Sequence, residues 1–284
     1  MSIRFLEVSY RYGKKTKNEI LALDHLSFEI AKGEFIAIVG RTGCGKSTTA
    51  QHINALLNPS EGLVKVDEFI NAAEKKKRSK NLGGVRKKVG LVFQFPEYQL
   101  FEETVEKDVA YGPKNFGQKE EEALKTAHDC LAQVGIDSSF YQRSPFELSG
   151  GEKRRVAIAG ILALKGEYLV IDEPTAGLDP SGTKAMMDLF KSLHEQGMTI
   201  VLITHDMELV RSYADRVIVL ENGKVVKDCH PRELFKEDLK QYSLDLPMIS
   251  SFLKRLEAKG ISFEDEDSRS VEALAKAIAR RGKR

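Results

Sequence analysis

The segment GRTGCGKS, residues 40–47, restricts what this chain can fold into more than any other stretch. It follows the apolar run FIAIV at residues 35–39, and apolar residues recur at helical spacing after it, which predicts a strand, a glycine-rich loop and a helix. Gly40, Gly43 and Gly45 can adopt backbone angles that a Cβ atom would forbid. The loop can therefore point several backbone N–H groups at one spot beside a helix N-terminus, and a polyphosphate fits that spot.

The side chains at the end of this loop have the chemistry that a phosphate site needs. Lys46 would reach the β and γ phosphates, and the Ser47 hydroxyl would be a ligand of Mg²⁺. The alternative, an ordinary glycine turn before a helix, leaves the agreement of spacing, Lys-Ser ending, strand and helix unexplained. The stretch predicts nucleotide binding without saying which nucleotide. The other residues assigned to this site are Arg41, Thr42, Cys44 and Thr48.

An aromatic side chain near the N-terminus is a further candidate for contact with the nucleotide. Residues 3–10 and 19–30 are predicted to be strands, because apolar residues alternate in both. Tyr12 comes just after the first of them, where its ring could stack on a purine, and Tyr10 is the reserve candidate. The alternative is that either ring packs against the sheet, and for Tyr10 we favour this alternative.

The size and composition of the chain exclude several classes of protein. A length of 284 residues allows one large domain, or one domain with a smaller appendage. The net charge of +2 does not indicate electrostatic binding of nucleic acid by the whole chain. The longest apolar run, residues 156–164, is far shorter than the about 20 residues that span a bilayer, and no cleavable signal segment is evident. The three cysteines form neither a disulfide framework nor a metal site, so we expect a cytosolic protein.

The periodicity of the sequence changes along the chain. From about residue 96 to residue 165, strand patterns stop and helical patterns follow, which predicts a helical insertion into an α/β core. The basic segment 75–84 is predicted to be a mobile surface connection. From about residue 231 to residue 284 we expect a helical appendage, with an exposed acidic segment at 263–270, so that the main domain spans residues 1–230.

Polar side chains directly follow three of the predicted buried strands, at the sheet edge where open α/β sheets bind ligands. Asp172 would hold Mg²⁺ through water, and Glu173 would accept a proton from the attacking water or orient it. His205 would contact the γ-phosphate, and Gln94 would touch Mg²⁺ or the water. Each of these residues alone has an ordinary structural explanation, but their joint presence in this order favours phosphoryl transfer to water.

A second glycine pair precedes a helix at residues 148–152, with the sequence LSGGE. Ser149, Gly150 and Gly151 would place another set of backbone N–H groups at a helix N-terminus, which makes a second potential anion site in one chain.

These motifs together resemble the ATPase subunit of an ABC transporter. The resemblance covers roughly residues 3–230, and LSGGE is its most specific element. It implies a P-loop NTPase of the ABC ATPase fold, with an α/β core, an antiparallel β subdomain, a helical insertion and a small helical C-terminal appendage. It also implies that two ATPase subunits pair head to tail, with ATP and Mg²⁺ held between the phosphate loop of one and the Ser149–Gly150–Gly151 signature of the other.

The segment FQFPEYQLFEETV at residues 93–105 is similar to the ATPases of energy-coupling factor transporters, and within that group to the second of two ATPase subunits. This similarity implies a peripheral protein on the cytoplasmic face of the cell membrane. Its partners would be a paralogous ATPase, a transmembrane coupling subunit and a substrate-binding membrane subunit that import vitamins. The alternatives are another ABC importer, such as one for cobalt or nickel, and a soluble ABC ATPase that acts on nucleic acid. ABC ATPases of that second kind usually carry a long coiled-coil insertion or two ATPase cassettes in one chain. This chain shows neither, which counts against the second alternative.

Overall fold

Two sheets organise the chain, and a computed structural model describes residues 1–14, 16–263 and 270–281 of it. Within those residues the strands are, in chain order, β1 (Ser2–Tyr12), β2 (Ile20–Ala31), β3 (Phe35–Val39), β4 (Glu61–Val66), β5 (Phe69–Ala72), β6 (Val89–Val92), β7 (Tyr168–Asp172), β8 (Thr199–Ile203), β9 (Arg216–Glu221) and β10 (Lys224–Cys229). The α-helices of the same residues are α1 (Lys46–Ile53), α2 (Gly83–Lys88), α3 (Val105–Asn115), α4 (Glu120–Gln133), α5 (Gly150–Leu162), α6 (Pro180–Glu195), α7 (Met207–Tyr213), α8 (Pro231–Leu234), α9 (Met248–Glu257) and α10 (Val271–Arg281).

The central sheet has the strand order β10-β9-β3-β8-β7-β6. Strands β9, β3, β8, β7 and β6 run parallel, and β10 is antiparallel to β9. Every residue of β3, β6, β7 and β8 is buried, as expected for parallel strands that are covered on both faces. The carboxyl ends of these strands therefore meet at one edge of the sheet, which is where the candidate site lies.

The second sheet is antiparallel, with the order β2-β1-β4-β5. It shares a hydrophobic core with one face of the central sheet, in which Phe5 and Phe28 stack with their ring centroids 4.5 Å apart. The core also includes Ile53 of α1, which packs the phosphate-loop helix between the two sheets. Strand β5 was not predicted, because four residues are too few to display an alternating pattern.

Residues 96–165 contain only helical elements and turns in the structure. Apolar side chains on α3, α4 and α5 bury one another, among them Val109, Ala127 and Ala159, and they continue into the core on the other face of the central sheet. The predicted fold class, an α/β core with an antiparallel subdomain and a helical insertion, is confirmed by this arrangement and by the neighbours reported below.

The basic segment 75–84, predicted to be a mobile surface connection, contains short helical elements. Residues Lys75–Lys77 form a 3-10 turn, and α2 begins at Gly83. Arg78 fixes the segment, since its Nε and Nη2 atoms donate to the Ala72 carbonyl oxygen at 3.0 and 2.7 Å. Lys75, Lys76 and Lys77 are exposed, as expected for a surface connection, and the mobility of the segment stays a prediction. The anchor at Arg78 was not predicted, because an arginine that bonds to a backbone carbonyl leaves no pattern in the sequence.

The segment predicted to be a helical appendage contains the helices α8, α9 and α10. Leu234 is fully buried, and Arg211 of α7 donates from Nη1 to the Ser250 hydroxyl of α9 at 3.2 Å. Most of the acidic segment predicted at 263–270 lies outside the described residues. None of the helices in the described ranges is both long and apolar enough to cross a bilayer.

A buried histidine makes the stability of the fold depend on pH. His52 of α1 is fully buried, and its Nδ1 lies 2.8 Å from the Thr48 carbonyl oxygen. That oxygen can only accept, so Nδ1 carries the hydrogen. The Nε2 atom has no hydrogen-bond partner among the described residues. Burial lowers the pKa of His52 from 6.5 to about 4, against the opposing effect of the Thr48 hydrogen bond.

We predict that the free energy of unfolding falls as the pH is lowered from 6.5 to about 4. Over that window the unfolded chain protonates His52 and the folded chain does not, so protons favour the unfolded state. The loss is about 3 kcal/mol, at 1.4 kcal/mol for each unit of pKa difference. In His52→Asn this contribution is absent, so the fall of Tm with decreasing pH should be shallower. His25→Asn, at an exposed histidine, is the control, and parallel Tm curves for wild type and His52→Asn would contradict the prediction.

Candidate nucleotide-binding and catalytic site

The glycine-rich loop between β3 and α1 has the backbone that its sequence predicts. Gly40, Gly43 and Gly45 have φ values of +146°, +84° and +107°. A Cβ atom on Gly40 would collide with the Leu220 carbonyl oxygen, and one on Gly45 would lie 2.6 Å from the Ala22 carbonyl oxygen. Gly43 has open space around it, so its conformation alone requires glycine.

The lysine at the end of the loop reaches back over it. Lys46 Nζ donates to the Gly40 carbonyl oxygen at 2.7 Å and to the Arg41 carbonyl oxygen at 3.1 Å. Arg41 and Thr42 are exposed on the outer side of the loop, whereas Cys44 is buried. Burial raises the pKa of the Cys44 thiol, so this residue fills space in the loop as a neutral group.

The first turn of α1 and the end of β7 bring a hydroxyl and a carboxyl group together. The Ser47 side chain lies close to Asp172, the last residue of β7, which is 8% exposed. Burial raises the pKa of Asp172, and the charge of Glu173 adds to that effect. The nearby Ser47 hydroxyl and the charge of Lys46 oppose it. These are hard oxygen ligands of the kind that Mg²⁺ takes in P-loop proteins.

Within the described ranges no group of three or more histidine, cysteine or acidic side chains could hold a metal ion. A cation held by Ser47 and Asp172 would therefore take its remaining ligands from phosphate oxygens and water, as Mg²⁺ commonly does. The residues present fit that mode of binding, because a cation beside Asp172 would offset the cost of keeping a buried carboxylate ionised.

Glu173 is held in a strained and directed position. Its φ is +50°, a left-handed conformation that costs a non-glycine residue on the order of 1–3 kcal/mol. Its amide donates to the Ile203 carbonyl oxygen at 2.9 Å, which ties it to the end of β8. Its Oε1 atom lies 2.7 Å from Nδ1 of His205, and Thr204 Oγ1 lies 3.5 Å from Oε2. The sheet thus presents an oriented carboxylate and imidazole beside Asp172.

Gln94 lies at the carboxyl end of β6, on the same edge of the sheet, and is exposed. No hydrogen bond within the described residues ties its amide group to the other candidate side chains. The residue after it, Phe95, has φ +56°, so the chain turns sharply at this point.

The aromatic candidates near the N-terminus pack against the phosphate-loop helix. The Tyr12 hydroxyl lies 3.2 Å from Thr48 Oγ1, and the ring is 39% exposed. Tyr10 packs edge to face against both Tyr12 and His52, with centroid distances of 4.8 Å. Tyr10 therefore supports the exposed Tyr12 ring and is not itself a free stacking surface.

The LSGGE segment lies in the helical insertion, apart from the phosphate loop of the same chain. Ser149 caps α5 through a reciprocal capping box. The Ser149 hydroxyl oxygen accepts a hydrogen bond from the Glu152 amide, and the Glu152 carboxylate accepts one from the Ser149 amide. Gly150 and Gly151 are exposed, and a Cβ atom on either would meet open space. No contact among the described residues explains why these two positions are glycine.

The structure adds two residues that the sequence analysis missed. Thr204 contacts Glu173 and also accepts a hydrogen bond from the Asp206 amide, which shapes the turn that carries His205. Arg154 is buried and bonds to Glu97 and to the backbone after Glu173. Arg154 is one of three consecutive basic residues, and the sequence gives no signal for which of them points inward.

Comparison with known proteins agrees with this geometry. Residues 23–176 match the ABC transporter family. The energy-coupling factor transporter ATP-binding protein EcfA2 of Enterococcus faecalis is 54% identical over 267 residues, which cover 93% of this chain and 92% of that protein. The protein of the same name from Latilactobacillus sakei is 50% identical, with 93% and 91% covered.

Solved structures have the same fold. The cbiO1 protein of Clostridium perfringens, described as part of the ABC transporter complex cbiONQ, has a TM-score of 0.72 and 35% identity over 89% of this chain and 98% of that one. A dimeric ATP-binding cassette bound to ADP and Pi has a TM-score of 0.70 and 33% identity over 81% of this chain and 99% of that one. The resemblance that the motifs indicated is confirmed, and the chain belongs to the ABC transporter ATPase family, within the group of energy-coupling factor transporter ATP-binding proteins.

Proposed function

We propose that this chain hydrolyses MgATP in a head-to-tail pair with a paralogous ATPase and drives the import of a vitamin or related micronutrient. The observation that carries the catalytic part is the hydrogen-bonded pair of Glu173 and His205, with 2.7 Å between Oε1 and Nδ1, near the side chains of Ser47 and Asp172. The chain would lie peripherally on the cytoplasmic face of the cell membrane. Its partners would be a transmembrane coupling subunit and a substrate-binding membrane subunit, and no nucleic acid is involved.

In the proposed mechanism the chain's own groups position and polarise the reactants. The backbone amides of the loop and Lys46 bind the phosphates and offset their charge, while Mg²⁺ held by Ser47 and Asp172 supplies Lewis-acid stabilisation of the phosphate oxygens. Glu173 orients the attacking water or accepts its proton. His205 keeps the Glu173 carboxylate aimed and is placed to contact the γ-phosphate.

The accessory contacts would complete the nucleotide site. Tyr12 offers its exposed ring to the purine, and Thr48, Arg41 and Thr42 border the phosphates. Gln94 would sense the bound metal or water from the edge of the sheet and pass its occupancy to the helical insertion that follows.

The signature segment supports pairing with a second ATPase. Ser149, Gly150 and Gly151 present the N-terminus of α5 to the exterior, where backbone amides and the helix dipole favour an anion. In a head-to-tail pair these groups would bind the γ-phosphate held by the partner's phosphate loop. Loss of that phosphate would remove the bridge between the subunits.

The segment after Gln94 supports docking to a membrane subunit. Tyr98 is 84% exposed and Phe101 is 56% exposed, with Phe95 beside them, whereas Leu100 is buried in the core beneath. Clustered exposed aromatic side chains mark interaction surfaces, and a partner helix could lie against them.

The proposed function is tested by purifying the chain from detergent-solubilised membranes and identifying the proteins that accompany it. We expect a second ABC ATPase and two kinds of integral membrane protein. Uptake assays with vitamins, cobalt and nickel would then identify the cargo, and uptake of cobalt or nickel in place of a vitamin would favour the alternative of another ABC importer. A partnerless protein whose ATPase responds to DNA, RNA or ribosomes would overturn the proposal.

We predict that Glu173→Gln binds ATP normally but hydrolyses it roughly 10²–10⁴-fold more slowly, because the amide cannot accept the proton of the attacking water. A glutamine can still form the hydrogen bond to His205, so the fold of the site is kept. Nucleotide binding and phosphate release measured on the same preparation separate the two effects. Glu195→Gln, at an exposed carboxylate on α6, is the control, and near-normal turnover in Glu173→Gln would refute the role given to this residue.

We predict that Gly151→Asp leaves the folded chain and its ATP binding unchanged but abolishes nucleotide-dependent pairing. The position is open within the chain, and an acid in the first turn of a helix is favourable, so folding has no reason to suffer. In the pair the new carboxylate would face the partner's γ-phosphate and repel it. Sedimentation with the partner ATPase, a non-hydrolysable ATP analogue and Mg²⁺ gives the readout.

Lys119→Asp is the matched control for this experiment, because it adds an acid at the N-terminus of α4, elsewhere in the same helical insertion. It should leave pairing intact. Pairing by Gly151→Asp at the wild-type nucleotide concentration would show that the signature does not face a second nucleotide.

A further inference from the structure

We propose that Arg154, together with Glu97, is a positioning residue that links the segment after Gln94 to the backbone that carries Glu173. The proposal rests on the proposed function and deepens it, since it names the side chains through which contact with a membrane partner would reach the site of hydrolysis. Arg154 and Glu97 touch none of the reacting groups themselves, so their effect would be on geometry.

The Arg154 guanidinium contacts two separate segments at once. Its Nε and Nη2 atoms donate to the two carboxylate oxygens of Glu97 at 3.1 and 2.8 Å, which is a bidentate pairing. Its Nη1 atom donates to the carbonyl oxygens of Pro174 and Ala176 at 3.2 and 3.0 Å. These four bonds join helix α5, the turn at residues 96–99 and the loop that follows β7.

Burial makes this contact stronger than an ordinary surface ion pair. The side chains of Arg154 and Glu97 are 6% and 15% exposed. Burial raises the pKa of Glu97, but the hydrogen bonds and charge of Arg154 outweigh it, and the net effect is a lowered pKa. A bidentate arginine–carboxylate pair fixes orientation as well as distance, which a lysine at the same place could not do.

The positions of α5, the turn at 96–99 and the loop after β7 explain how a movement at one of them would reach the others. Glu97 stands three residues after Gln94, among the exposed aromatic side chains at which a membrane partner would dock. Pro174 comes directly after Glu173, whose left-handed backbone depends on the position of its neighbours. A displacement of the docking segment would therefore pull on Arg154 and move the peptide next to the catalytic carboxylate.

Arg154 also belongs to the helix that begins with the signature glycines. It lies in the first two turns of α5, after Gly150 and Gly151, and its guanidinium carbon is 5.7 Å from the centroid of the Phe95 ring. The same side chain therefore relates the surface that would face the partner ATPase to the surface that would face the membrane.

The experiment compares Arg154→Lys, Glu97→Gln and the double variant with the wild type in the assembly that co-purifies from membranes. Arg216→Lys is the matched control, because Arg216 also pairs bidentately with a carboxylate, at 2.7 Å from each oxygen of Asp228, but lies on β9 away from the site. The readouts are kcat and KM for ATP, Tm, and hydrogen exchange of the amides at residues 175–178.

We expect Arg154→Lys to lower kcat about tenfold or more with KM for ATP unchanged, since a displacement of about 1 Å can cost up to 100-fold in rate. Amide exchange at residues 175–178 should become faster. The double variant should be no slower than the worse single variant, because both changes break one contact. Arg216→Lys should change neither kcat nor the exchange of this loop.

The results separate this inference from the proposed function. If the wild-type assembly hydrolyses ATP and Arg154→Lys and Glu97→Gln both retain its kcat and its exchange pattern, the inference alone is overturned. Equal losses in Tm, KM and kcat in these variants would also overturn it, since they would indicate a structural role only. A wild-type assembly without ATPase activity would overturn the proposed function and this inference with it.

Discussion

The parallel pairing of the central strands is the constraint on which the rest of the structure depends. Strand β7 pairs with β8 so that Asp172 lies opposite Ile203, and this register places Glu173 beside the turn that carries His205. Strand β3 pairs with β8 in the same direction, which brings the phosphate loop to that edge as well. Strand pairing alone therefore brings together segments that are far apart in the sequence.

The candidate site at this edge suits a charged ligand, because a cation beside Asp172 would offset the cost of its burial. Asp172 is buried at a position that disfavours its ionised form, and the backbone of Glu173 is strained in order to aim its carboxylate. Both features cost stability in the chain alone and are compensated by the fully buried strands beneath them. Such groups stabilise developing charge efficiently, because they are already oriented before the reaction begins.

The sequence predicted the strands of the core, the phosphate loop and the polar residue after each strand, since buried runs and glycine spacing are local signals. It did not predict β5, which is too short to show a period, or the fixed turn at Arg78. It could place Asp172 and Glu173 at one edge but could not reveal the bond between Glu173 and His205 or the φ of Glu173. Those features depend on strand register and packing, which act between residues distant in the chain.

Arg154 illustrates why the contacts that support the site could not be predicted from the sequence. Lys153, Arg154 and Arg155 are equivalent in a list of residues, and only the rotation of α5 against the turn at 96–99 directs the middle one inward. Once buried, a guanidinium must be fully hydrogen-bonded, so it constrains both Glu97 and the carbonyl oxygens after Glu173. This buried arginine therefore gives the fold a short physical connection between α5, the turn at 96–99 and the loop that follows β7.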